Sequence, residues 1–261
     1  IDDAETSERV LAKAFVKPFD LGKVPLVRAE LVKRNDGYLF MFDMHHIVSD
    51  GMSEEIFIQE LAALYNGEEL EALTHQYKDY SEWMRTRDIS GQKEYWLSQF
   101  EGEIPVLDMP LDYMRPQVQS YSGAIILENI SDNLGSKIKK LAHDNDATEY
   151  MIFLSAAMIL LSRYSRQDDI VIGCPISGRT HSDTEKMLGM FVNTLAMRGH
   201  PEKNKKYTDF LSEIRETCLK AYENQEYPFE ELVEAVDVQR DMSRNPLFDV
   251  VLVLQNNEQS D

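Results

Sequence analysis

The sequence predicts a mixed α/β fold with α+β layering, on three observations. β-Branched and aromatic runs alternate with helix-patterned segments along the chain. No internal repeat or low-complexity tract breaks that alternation. One stretch, residues 101–122, carries Pro105, Pro110 and Pro116 and lacks helical periodicity. Proline fixes φ and removes a backbone donor, so this stretch reads as an extended connector. It divides the 261 residues into an N-terminal lobe at 1–100 and a C-terminal lobe at 123–261, a length sufficient for two modest lobes.

In the first part, Val24 to Lys33 and Tyr38 to Met44 read as paired strands. Asn35, Asp36 and Gly37 tolerate positive φ and supply the turn. Ser53 fits a helix N-cap, with Glu54 and Glu55 in the first turn. Phe57, Leu61, Leu64 and Tyr65 form the apolar face of that helix, and Gly67 its C′ stop. A further helix is expected around Tyr80 to Phe100, carrying Trp83 and Trp96. The second part opens with a strand over Ala124–Ile130, followed by helices at Asn133–Asp144 and Glu149–Arg163. Strands at Ile170–Cys174 and Gly189–Met197, a helix at Tyr207–Asn224 and an apolar strand at Pro246–Leu254 complete the series.

Composition narrows the function. Apolar residues make up 43% and charged residues 28%, ordinary values for a globular protein. A net charge of −19 repels phosphate backbones and anionic lipid, which argues against nucleic acid and membrane partners. The longest apolar run, Met151 to Leu161, is too short to span a bilayer and reads as a buried helix. No basic-then-apolar leader opens the chain. Cys174 and Cys218 have no metal-type spacing and read as reduced thiols of a cytoplasmic protein.

The sharpest local feature is His45-His46-Ile47-Val48-Ser49-Asp50-Gly51, on a strand-to-helix turn. Alternation along the strand would point the two histidines to opposite faces, with Phe40, Phe42, Met44 and His46 on one. Imidazole, with an unperturbed pKa near ~6.5, is suited to take a proton from a nucleophile at neutral pH. A histidine pair at a strand end is as often structural, and Asp-Gly is commonly just a turn. The heptapeptide alone leaves both readings open. A metal site lacks a third ligand nearby, since His75, His143, His181 and His200 lie far off in sequence.

Further segments extend the pattern. His45-His46-x-x-x-Asp50-Gly51 matches the HHxxxDG motif of the condensation domains of nonribosomal peptide synthetases, within the chloramphenicol-acetyltransferase-like superfamily. Tyr77–Trp83 resembles that family's YxDYxxW, and Gly189–Leu195 its GxFVNTL. Asn224–Glu230 resembles HQDYPFE, and Arg240–Val250 resembles RDxSRNPLFDV. These five ordered motifs cover nearly the whole chain.

The resemblance implies two acetyltransferase-like lobes in a V-shaped pseudodimer, with a tunnel between them. It implies an acyltransferase: a carrier-bound aminoacyl amine attacks a carrier-bound acyl or peptidyl thioester. The partners are then donor and acceptor peptidyl carrier domains and a neighbouring adenylation domain. Phosphopantetheine belongs to the carriers, and the chain itself binds no cofactor and no metal. His46 becomes the central catalytic residue, as general base or as the group that positions the amine. His45 becomes a packing residue, and the Gly51 N–H a donor toward an oxyanion. Asp50 becomes a structural residue paired with Arg179 across the lobes, and Asn193 either a support hydrogen-bonding toward the tunnel or a residue satisfying nearby backbone. Phe191, Phe248 and Trp83 read as core. The family's opening glutamine and RHxxLR-type motifs, and the strands and helix after RDxSRNPLFDV, are not in this sequence. Both lobes are therefore expected to be partial, truncated at both ends. Competing readings are an epimerization domain, another HHxxxD acyltransferase, and a non-catalytic fragment that docks carriers.

Overall fold

The computed structural model describes residues 3–35, 37–120, 122–236, 238 and 241–255. Asp36 of the hairpin turn and Arg240 of the RDxSRNPLFDV-like segment lie outside the described residues. Two compact units emerge. The first comprises residues 1–87 and 179–192, the second 88–178 and 193–261. This division differs from the one expected at residue 100. Trp96 and Phe100 are buried in the core of the second unit, which draws residues 88–100 into it.

The first unit opens with α1 (Asp3–Phe15), a helix the sequence reading lacked. β1 (Val27–Lys33) and β2 (Tyr38–Met44) pair antiparallel from Val27↔Met44 to Lys33↔Tyr38. Gly37 takes φ +149° in the turn, where the Arg34 amide donates to its carbonyl. α2 (Gly51–Tyr65) is capped by Asp50, whose carboxylate accepts from the Ser53 amide. Ser53 is thus the third helical residue and not the cap: a carboxylate three residues upstream reaches its N–H first. Gly67 follows the helix at φ +82°, as a C′ stop requires. The inward face of α2 runs through Ser53, Ile56, Phe57, Glu60 and Ala63. The expected face fails at Leu61, Leu64 and Tyr65, which are exposed. α3 (Tyr77–Thr86) starts with a capping box in which Asp79 accepts from the Gln76 amide.

The single helix expected over 80–100 is two. Arg87 turns extended, and the Asp88 carboxylate accepts from the Ser90 amide, nucleating α4 (Ser90–Gln99). α5 (Asp132–Asp144), α6 (Glu149–Ser165), β3 (Ile170–Ile176), β4 (Asn193–Gly199), α7 (Tyr207–Glu223) and α8 (Phe229–Ala235) follow in the second unit. β3 and β4 pair antiparallel, Ile170 opposite Gly199. Residues 189–192, expected in the second of these strands, fold with the first unit instead. Pro228 caps α8. The strand expected over 124–130 has no ladder partner among the described residues, and Ile125, Ile126 and Leu127 are exposed. The strand expected over 246–254 is reduced to one parallel bridge, Gly173 to Val251.

The apolar core sits in the second unit. Leu154, Met158, Ile172, Met197, Leu211 and Ile214 are almost fully buried where α6 and α7 pack with β3 and β4. α6, the short apolar run of the sequence, buries Leu154, Met158 and Leu161, with Thr148 capping it through the Met151 amide. No helix among the described residues is long and apolar enough to cross a membrane. Cys174 and Cys218 are free and buried in this core, and burial pushes the Cys218 thiol up to about 12.

Gly173 is the tightest point of the core. A Cβ there would stand 2.5 Å from Phe248 Cε2, in mid-strand between two backbone hydrogen bonds to Val250 and Leu252. Gly173→Ala is therefore expected to cost roughly 1–3 kcal/mol by overpacking. Urea denaturation would measure it, and an unchanged midpoint would mean that Phe248 rotates away freely.

Candidate functional site

The interior of the first unit is polar where that of the second is apolar. Among the described residues, those buried in it are Ser49, Asp50, Ser53, Thr184, Met187, Gly189 and Phe191. Every one lies in the turn that opens α2 or in the segment 179–192.

β2 ends at Met44, and residues His46–Val48 form a one-turn 3-10 helix capped by His45. Strand alternation therefore stops short of the two histidines, and His46 does not continue the Phe40–Met44 face. Instead, each ring is held by a different backbone group. His46 is exposed, and its Nδ1 lies 2.7 Å from the Ser49 carbonyl oxygen. A carbonyl only accepts, so Nδ1 carries the proton and Nε2 presents its lone pair. His45 shows the reverse: its Nδ1 accepts from the Ile47 amide at 3.0 Å, placing the ring proton on Nε2. The His45 ring also meets Phe19 edge-on, centroids 5.9 Å apart. In their neutral forms the two adjacent histidines thus take opposite tautomers, the half-buried one capping and the exposed one with Nε2 as its acceptor.

Beneath them lies a lock centred on Asp50. Arg179 Nη2 donates to Asp50 Oδ1 at 3.0 Å, and both side chains are only 2% exposed. The same oxygen accepts from the Ser53 amide at 2.8 Å, while Oδ2 accepts from the Phe191 amide at 3.1 Å. Arg179 Nη1 holds the Thr184 and Met187 carbonyls, and its guanidinium lies over the Phe191 ring at 4.1 Å. Gly189 is wedged against Tyr77, whose ring would meet a Cβ there at 2.1 Å and whose hydroxyl donates to the Met190 carbonyl. Gly51 occupies the first helical position after Asp50, where an α-helix leaves its N–H groups without intrahelical acceptors.

Burial alone would raise the Asp50 carboxyl. The hydrogen bonds from Ser53, the Phe191 amide and Arg179 outweigh it and hold the group below its ordinary 3.8. A depressed folded-state pKa means stability that is complete above about pH 4 and is lost as pH falls through the folded-state value. Melting temperature followed against pH should therefore drop on acidification in the parent. The Asp50→Asn variant should lack that component, and parallel curves would show that the carboxylate contributes none of the acid sensitivity.

Of the residues singled out from the sequence, His45, His46, Asp50, Gly51 and Arg179 fall together in the first unit. Asn193 does not join them. Its amide donates to the Gln225 and Tyr227 carbonyls at 2.9 and 2.8 Å, and its oxygen accepts from the Thr194 and Phe229 amides. All four hydrogen-bonding places of the side chain are filled within the second unit, where it fixes the turn before α8. Trp83, expected in the core, is 42% exposed, with the Arg87 guanidinium 4.5 Å from its ring centroid. The sequence reading missed Ser53 as a partner of Asp50. It also missed the Ser49 carbonyl and the Phe191 amide, since backbone groups leave no trace in side-chain identity.

The condensation-domain family model matches residues 1–261, and the chain belongs to that family. It is 53% identical over 256 residues to bacitracin synthase 3 of Bacillus licheniformis, covering 96% of this chain and 4% of that protein. It is 49% identical over 260 residues to tyrocidine synthase 3 of Brevibacillus parabrevis, covering 98% and 4%. These relatives are antibiotic-producing nonribosomal peptide synthetases, and the chain spans 4% of the length of each. Among solved structures, a four-domain nonribosomal peptide synthetase superposes with TM-score 0.84 at 26% identity, over 99% of this chain and 20% of that one. The X-domain from teicoplanin biosynthesis reaches the same TM-score at 23% identity, over 96% and 59%, and shares the fold. The chloramphenicol-acetyltransferase-like mixed fold expected from the sequence is thus the fold of the chain.

Proposed function

We propose that the chain forms amide bonds between carrier-bound substrates. The amine of an aminoacyl thioester attacks the carbonyl carbon of an acyl or peptidyl thioester on a second carrier. The tetrahedral intermediate then expels the donor thiolate, and the proton released by the attacking nitrogen ends on that sulfur. His46 Nε2 is the group that takes or steers this proton. The carriers' phosphopantetheine arms bring both thioesters, and donor carrier, acceptor carrier and adenylation domain are the partners.

The observation that carries the reading is the 2.7 Å contact between His46 Nδ1 and the Ser49 carbonyl oxygen. The His46 Nδ1–H is spent on that carbonyl, which leaves Nε2 as the exposed acceptor. A general base must present a lone pair to the proton it removes, and this ring does. Fold alone would not carry the reading, since one fold hosts many functions. An X-domain of the same fold is described in complex with OxyB.

The test loads a donor carrier with an acyl group and an acceptor carrier with an amino acid. Intact-protein mass spectrometry then follows the acceptor arm. A mass gain equal to the acyl group is expected. Unchanged masses with matched carriers would overturn the proposal, and α-deuterium incorporation in deuterated buffer would point to epimerization instead.

A further inference from the structure

Resting on that role for His46, we propose that Ser53 is a positioning residue, the joint through which the segment 187–191 fixes the His46 ring. Ser53 is fully buried. Its hydroxyl oxygen lies 2.7 Å from Asp50 Oδ1, 2.8 Å from the Gly189 carbonyl, 3.0 Å from the Gly189 amide and 3.1 Å from Arg179 Nη2. A serine hydroxyl has one proton and two lone pairs. The Gly189 N–H and the Arg179 N–H fill the lone pairs. The one proton is left between two acceptors, Asp50 Oδ1 and the Gly189 carbonyl. No other side chain of the lock touches Asp50, Arg179 and both polar groups of Gly189 at once.

The path to His46 is short. Asp50 follows Ser49 directly, so the torsions that the Asp50 side chain imposes on its own peptide also aim the Ser49 carbonyl. That carbonyl is what holds the His46 Nδ1–H at 2.7 Å. Without the Ser53 hydroxyl, the Asp50 carboxylate keeps the Ser53 amide, the Phe191 amide and Arg179. The lock therefore persists in Ser53→Ala, but Gly189 loses its partners and the turn gains freedom. A purely structural serine would lower stability and nothing else. A positioning serine also changes the imidazole.

The experiment is nitrogen-15 NMR of the histidine rings in the substrate-free chain. It reads which nitrogen of His46 carries the proton. The parent is expected to show Nδ1–H at His46. Ser53→Ala is expected to show a mixture with the Nε2–H form, together with a transfer rate roughly 10- to 100-fold lower at saturating carriers, an altered pH profile and an unchanged KM. A folded Ser53→Ala chain that keeps the Nδ1–H form and the parental pH profile would overturn the inference. If that variant does not fold, Ser53→Cys, with one proton and a weakly accepting sulfur, is read in the same way. The tautomer is measured without turnover. A parent inactive toward carriers whose tautomer still depends on Ser53 would defeat the proposed reaction and sustain the inference.

Discussion

His46→Ala is expected to lower carrier-to-carrier acyl transfer by roughly 10²–10⁴-fold, the range that a positioned acid–base group supplies. The ring is exposed, but its loss takes a donor from the carbonyl of buried Ser49, so stability should fall by about 1 kcal/mol. His45→Ala should spare the transfer. Its ring caps the 3-10 turn and packs on Phe19, so its loss should cost about 1 kcal/mol while leaving the transfer chemistry a base. His46→Gln separates the two roles left open for His46. An amide still donates and accepts hydrogen bonds but does not titrate. Partial activity with a flat pH profile would mark positioning of the amine, and loss equal to alanine would mark proton transfer. The mass-spectrometric assay reads all three, and a fully active, folded His46→Ala would remove His46 from the mechanism.

Arg179→Ala is expected to cost about 3–5 kcal/mol, because it strands the Asp50 carboxylate as an unpaired buried charge. Arg179→Lys should rescue little. The guanidinium spends Nη1 on two carbonyls and Nη2 on Asp50 and Ser53, a spread that one ammonium point cannot reproduce. Asp50→Asn combined with Arg179→Ala should be milder than the sum of the two, since the stranded charge is then gone. Urea denaturation of the four chains closes this cycle. Additive losses would mean that the pair is not coupled.

Much of the fold follows from local pattern. The hairpin needed only β-branched and aromatic runs around a glycine turn, and α6 only a threonine cap before an apolar stretch. The failures share one cause. Ile125, Ile126 and Leu127 have strand composition, yet a strand exists only when another backbone pairs with it, and local sequence does not name that partner. The break at Arg87–Ile89 likewise turns on one carboxylate choosing the Ser90 amide. At the site, the side chains His46, Asp50 and Arg179 were legible through motif resemblance. Ser53 read as a cap because serine directly before a helical pattern and serine inside a helical first turn look alike. The Ser49 carbonyl and the Phe191 amide are backbone groups that any residue could supply. For Asn193 the strand position was right, and tertiary placement chose its partners: the Gln225 and Tyr227 carbonyls, the Phe229 amide that opens α8 and the adjacent Thr194 amide.

Arg179 and Phe191 enter the chain about a hundred residues after the unit they lock has otherwise been spelled out. Residues 1–87, leaving a ribosome alone, hold Asp50 with neither its cation nor the Phe191 amide, and with little apolar interior to compensate. The first unit therefore cannot close until residue 192 has been made, by which point α5, α6 and β3 of the second have been synthesised. Cutting the chain between Arg87 and Asp88 would separate His45, His46 and Asp50 from Arg179 and Phe191. The first unit is thus discontinuous in the chain, and its two pieces flank most of the apolar core of the second.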